Sequence, residues 1–178
     1  MPKVNEKISG VGGVVLSYIE KLFFKVSMFS AAFMMIFVSA DALGRYILNM
    51  PITGQYEITE DYLMVALVFL SLSHTYVMGG HVRVTLLLRF IPSSLKFVLN
   101  TLFNLAAAVF FALLTYATFG VFKDAVKLGE LSTNILRYPM APAYFLVPLG
   151  SAILCIRLLQ DTFLYLLGKE SIMQREEG

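Results

Sequence analysis

Glu57, Glu60 and Asp61 crowd together just ahead of an apolar run, and His74 and His81 follow on the same stretch of chain. Three carboxylates so placed could collect a cation, and paired imidazoles are common ligands of a haem iron. The spacing argues otherwise for the histidines. His74 and His81 are seven residues apart, so on one helix they share a face at ~10.5 Å and cannot grip one iron from opposite sides. The chain has no third histidine, which excludes a bis-histidine haem within one copy. His81 follows Gly79-Gly80 and is expected to anchor a loop; His74 is expected to be a hydrogen-bonded helix-packing residue. The acids sit in the opening turn of a helix, where the positive end of the helix dipole favours carboxylates. Their face is expected to continue through Met64, Ser71, His74 and Met78. Arg45 closes the preceding apolar run on the same side, so an Arg45–Glu57 ion pair is expected to close the hairpin between them. No carboxylates continue a path below the acids, which favours pairing over cation transit.

Further along, Asn100, Asn104, Ala108 and Ala112 recur every four residues, with Thr115 close to the same line. Amides followed by small residues allow close helix approach and interhelical hydrogen bonds worth roughly 0.6–2 kcal/mol each. No P-loop, G-x-S-x-G or H-E-x-x-H motif occurs. The single cysteine, Cys155, permits neither an internal disulfide nor a cysteine metal cluster and has no histidine partner. No catalytic residue, cofactor or metal site is therefore assigned, and no enzyme activity is expected. Arg45, Glu57, Glu60, Asp61, His74, His81, Asn100 and Asn104 are candidates for folding and assembly.

The elements that must position these residues are membrane helices. The chain of 178 residues is 58% hydrophobic and 15% charged, against about a quarter charged in a soluble domain. Four segments approach the roughly 20 apolar residues that a crossing needs, at about 26–43, 62–78, 97–122 and 141–167. None alternates like a barrel strand, so the expected class is all-α: one membrane domain of four transmembrane helices plus short interfacial amphipathic helices. Nine Lys and Arg residues gather on one side and four on the other, and Arg157 sits with Asp161 near the far end of the last span. That imbalance puts both termini in the cytoplasm, as an even number of spans requires. Val38-Ser39-Ala40 also fits a signal-peptide cleavage site, but the long charged region ahead of the span, with Asp41 and Arg45 after it, fits a hairpin better.

Around the spans, residues 13–25 carry Val14, Tyr18 and Leu22 on one face, a line that Val26 continues, with Ser17, Glu20 and Lys21 opposite. This amphipathic segment is expected to lie along the cytoplasmic interface or to extend the first span. Val84 to Pro92 is expected to form a short interfacial helix. Between Ser93 and Leu128 there is no proline and only one glycine, Gly120, which predicts one helix of ~54 Å with Gly129 as its cap. Pro142 suits a helix start, and Pro148 is expected to kink the last span. A net charge of +2 with no basic block gives no sign of nucleic-acid binding; membrane lipids are the expected surroundings.

Three stretches together carry a resemblance. They are Arg45-Tyr46 with Asn49, Pro51, Gly54 and Glu57-Ile58; Gly79-Gly80-His81-Val82-Arg83-Val84; and Pro139, Tyr144, Pro148 and Gly150 at the opening of the last span. In this order, over roughly Lys25 to Leu167, they resemble the small membrane subunit (DctQ type) of tripartite ATP-independent periplasmic, or TRAP, transporters. Arg45, Glu57 and His81 match the family's first-hairpin arginine, span-two acid and following histidine. Thr85 stands where an aspartate is frequent, and the chain lacks the tryptophan often found before the span-two acid.

The resemblance implies a bacterial inner-membrane complex. This chain would brace a larger, sodium-coupled elevator subunit, and a periplasmic binding protein would deliver a carboxylate-bearing organic acid. The competing possibilities are a membrane anchor of a redox complex and a self-assembling small transporter or channel.

Overall fold

The computed structural model describes residues 11–50, 52–78, 93–132 and 136–166. His81 and the expected interfacial helix before Pro92 lie outside them. Helix α1 runs unbroken from Val11 to Leu48. The amphipathic N-terminal segment therefore extends the first span, giving 38 residues and about 57 Å of helix against a ~30 Å hydrocarbon core. Asn49, at φ 51, turns the chain out, and the Met50 N–H returns to the Gly44 carbonyl at 3.3 Å. Helix α2 (Gln55–Ile58), a π-helical turn (Thr59–Met64) and α3 (Val65–Val77) then follow without an intervening residue. Helix α4 spans Ser93–Leu128, the uninterrupted length its sequence implies. Gly129 ends it at φ 60, and the Glu130 N–H caps the Ala125 carbonyl at 3.0 Å, a Schellman closure. Helix α5 spans Ala141–Leu166 with Pro148 inside it.

The fold is all-α, with a lone bridge between Leu131 and Pro139 among the described residues. Three stretches, Gly13–Leu48, Val98–Leu128 and Ala141–Leu164, are each long and apolar enough to cross a membrane. Burial separates their roles: 39% of the most apolar window of α5 is buried inside the chain, against 11% for α1 and 6% for α4. Helix α5 is thus the centre. It packs along α4 and α3 and touches α1, while α1 lies mainly on α3. The apolar core is Tyr76, Ala108, Leu154 and Leu158, with Leu72, Ala107 and Phe111 packed against it. Gly150 makes the central contact possible, because a Cβ there would stand 2.2 Å from the Phe69 carbonyl oxygen.

The outside is apolar instead of polar. Phe29, Phe33 and Phe37 stack along α1 with centroids 6.4 and 5.6 Å apart. Hydroxyls in such a medium need a carbonyl. Ser27, Thr115, Thr118, Ser151 and Thr162 each donate to a carbonyl three or four residues back on their own helix.

Candidate functional site

Polar side chains converge at the end of the bundle where α1 begins and α3 and α5 finish. Glu20 on α1 and Arg157 on α5 are each 2% exposed, and Ser73 on α3 is 3% exposed. The Ser73 hydroxyl donates to Glu20 Oε1 at 2.6 Å, and Arg157 Nε stands 3.6 Å from the same oxygen. Arg157 also reaches Gln160 Oε1 at 3.4 Å. Beside this pair, the Tyr76 hydroxyl donates to Asp161 Oδ2 at 2.8 Å and accepts from Asn104 Nδ2 at 2.9 Å. The layer joins all four long helical segments, and its chemistry is that of a lock: opposite charges and hydrogen-bonding groups are matched between helices, with Arg157 Nε held to Glu20 by charge alone and without a hydrogen bond.

Sequence reasoning did not find most of this layer. Glu20 was expected on the polar face of an amphipathic segment, facing away from Val14, Tyr18, Leu22 and Val26. In the structure that apolar face is the exposed one and Glu20 turns inward. The medium decides: around lipid or an apolar partner the polar side of a helix is the side that packs. The signal lay in the charges themselves, since Glu20, Arg157 and Asp161 within apolar helices require partners. Asn100 and Asn104 do face inward, both 8% exposed, followed by Ala108 at 2%. The four-residue line then fails, and Ala112 is exposed. Each four-residue step overshoots a 3.6-residue turn, so the inward line passes to Thr115, whose hydroxyl oxygen lies 3.0 Å from Ser151 Oγ.

At the opposite end, Arg45 does not close the hairpin onto Glu57. It pairs instead with Asp41 at 2.8 Å, one turn back on α1. Asp41, 4% exposed, also accepts the Ile52 N–H at 2.8 Å and so fastens the hairpin from inside. The three acids do not converge. Glu60 is exposed and Glu57 half-buried, while Asp61 accepts the Tyr138 hydroxyl. Tyr62 donates to the Pro139 carbonyl, and the rings of Tyr62 and Tyr138 lie 5.4 Å apart. The loop before α5 is thus clamped onto the π-helical turn, and is held to itself by Ser132 N–H to Tyr138 O at 2.8 Å and Met140 N–H to Glu130 O at 3.0 Å.

The π-helical turn also explains why the acids' face does not run on as expected. A π turn takes up an extra residue and rotates everything beyond it. The buried line of α3 is Leu70, Ser73 and Tyr76, while Met64 and Met78 are 54% and 61% exposed. His74 is half-buried and lies against the Phe24 ring at 4.1 Å between centroids. Ser30 on α1 donates to the Leu63 carbonyl in the π turn at 2.9 Å, an acceptor the wider turn leaves accessible.

Two expected outcomes concern this end. Tyr138→Phe removes the hydroxyl held by Asp61, a loss of about 1 kcal/mol; limited proteolysis of the purified chain should cut between residues 131 and 139 about fivefold faster. Gly54 caps α2 at φ 81, and a Cβ there would stand 1.8 Å from Leu136 Cδ1, so Gly54→Ala should cost at least about 1–2 kcal/mol through a left-handed backbone and also push Leu136 aside. The melting temperature of the purified Gly54→Ala chain should fall below that of the parent by several degrees.

Residues 34–167, well over half of the chain, match the family described as Tripartite ATP-independent periplasmic transporters, DctQ component. No curated protein matches the chain. An all-helical apolar bundle whose polar groups join its own helices agrees with that match: the chain belongs to the DctQ family and is a small membrane subunit of a tripartite ATP-independent periplasmic transporter.

Proposed function

We propose that this subunit is a static brace. It holds a larger, sodium-coupled elevator subunit in the bacterial inner membrane while that subunit carries a carboxylate-bearing organic acid delivered by a periplasmic binding protein. The carrying observation is how the buried polar groups are used: Glu20, Arg157, Ser73, Tyr76, Asn104 and Asp161 join helix to helix. A carrier needs polar groups that meet substrate and change partners; a brace needs them engaged with its own helices. The chain has no enzymatic role in this scheme.

The helical stretch from Gln55 to Val77 serves as the fourth crossing. Its 23 consecutive helical residues reach up to about 34 Å, which suffices for a ~30 Å core. Four crossings put both termini in the cytoplasm, in keeping with the distribution of Lys and Arg. The chain forms a single membrane domain.

The test is to tag the chain in its native membrane, solubilise it gently and identify what co-purifies. A stoichiometric membrane partner with several times as many spans is the expected result. Liposomes holding this chain alone should take up no organic acid with or without a sodium gradient, whereas both membrane subunits plus binding protein should. Uptake by this chain alone would overturn the proposal.

A further inference from the structure

Lys21 and Lys25 stand one turn apart on the exposed side of α1, and neither forms an ion pair among the described residues. The acid next to Lys21 in the chain, Glu20, points the opposite way, to Ser73 and Arg157 inside the bundle. Two ammonium groups at this spacing, about 6 Å along the axis, repel each other. Water would screen that repulsion, but these lysines are set in an apolar surface. On the same face Val14 and Tyr18 precede them and Met28, Phe29 and Ile36 follow, each more than half exposed. Lys21 also borders the groove between α1 and α3. Phe24, one turn on, lies against the His74 ring, and the Lys21 charge acts on that imidazole.

The pattern says what kind of partner fits. An anion is needed between the two ammonium groups, and the surface on either side of it is apolar. An inorganic anion would answer the charges and leave the apolar flanks as they were. An apolar helix or a neutral lipid would cover the flanks and leave the charges unanswered. An anionic phospholipid does both, and a subunit of a membrane complex is surrounded by lipid. The Tyr18 hydroxyl, which has no hydrogen bond among the described residues, adds a neutral donor beside the lysines.

We infer that the face of α1 carrying Tyr18, Lys21 and Lys25 is a binding site for an anionic phospholipid. Its phosphate lies between the two ammonium groups, and its acyl chains run along Met28, Phe29 and Ile36. The site goes beyond the brace function and does not depend on it. Because Glu20 projects from the same turns of α1, a lipid held there also steadies the polar layer on the inner side.

The test titrates phosphatidylglycerol into the full-length chain in a neutral detergent, with phosphatidylcholine and inorganic phosphate run alongside. Melting temperature and lipid adducts in native mass spectra are the readouts. Phosphatidylglycerol should raise the melting temperature and give a saturable adduct, and the other two should not. Lys21→Gln with Lys25→Gln should raise the half-saturating concentration about 25-fold, from about fivefold for each charge. Lys21→Arg with Lys25→Arg should keep it within about twofold, since the charges remain. Lys123→Gln with Lys127→Gln, exposed lysines at the same spacing on α4, should leave it unchanged.

Equal stabilisation by phosphatidylcholine or by inorganic phosphate would overturn the inference. So would a double glutamine variant that binds phosphatidylglycerol as tightly as the parent, or one that keeps its lipid but loses the larger subunit, which would give the lysines to an acid of that subunit. If the variant does not fold, the parent chain decides: a tenfold rise in sodium chloride should weaken the adduct about fivefold, and an adduct indifferent to salt would sink the site.

Discussion

Arg157→Ala is expected to unfold the bundle end where α1 begins. The substitution leaves Glu20 2% exposed and without its cation, and breaking a buried pair from one side costs about 3–5 kcal/mol. At roughly 2–4 °C per kcal/mol for a chain of this length, the melting temperature in detergent should drop by about 6–20 °C. Glu20→Gln should cost less, because the amide can still accept from Ser73 and only the guanidinium loses its partner. Glu20→Leu combined with Arg157→Met should recover most of the loss, since apolar side chains of similar volume often replace a buried ion pair without penalty. The order of the three variants is diagnostic, because a layer that merely fills space would make the double variant worst. A control is Leu166→Ala, at a position 59% exposed, which should change little. If Arg157→Ala melts with that control, the ion pair does not hold the helices.

The parts of the fold that were legible in the sequence depend on the chain alone. An unbroken stretch without proline predicted α4 as Ser93–Leu128 with Gly129 behind it, and both follow from backbone chemistry. The inward line through Asn100, Asn104 and Ala108 was legible because amides in apolar helices must face protein. What escaped depends on surroundings or on register. Amphipathic periodicity sets Glu20 opposite Val14 and Tyr18, but it says that two faces differ, not which medium each one meets. Arg45 was paired across the hairpin with Glu57, although Asp41 precedes it by four residues, the spacing at which helical side chains touch. The π-helical turn leaves no signature in residue type, yet it rotates Ser73 and Tyr76 into the core and Met78 out of it. The polar layer is therefore a product of one irregular turn: with α-helical register throughout, α3 would present a different face to Glu20 and Asp161.

Gly150 and Gly120 should respond with opposite sign to the same change. Both sit inside long helices, where alanine is intrinsically better than glycine by about 1 kcal/mol. At Gly120 the added methyl group meets nothing within 4 Å, so Gly120→Ala should leave the isolated chain as stable as before or slightly more so. At Gly150 the Cβ would lie 2.2 Å from the Phe69 carbonyl oxygen and 2.6 Å from its carbon. Those are backbone atoms and cannot rotate away, so α3 and α5 must part. Separation of that pair also stretches Tyr76 from Asp161, since the two residues lie on the same two helices. Overpacking alone costs about 1–3 kcal/mol, and weakening the polar layer adds to it. Gly150→Ala should thus melt several degrees below the parent and Gly150→Leu should not assemble, with thermal unfolding and size-exclusion profiles of the purified chain as the readouts. Parallel behaviour of the two glycines would mean that α3 and α5 are not in backbone contact, and the central position of α5 would have to be abandoned.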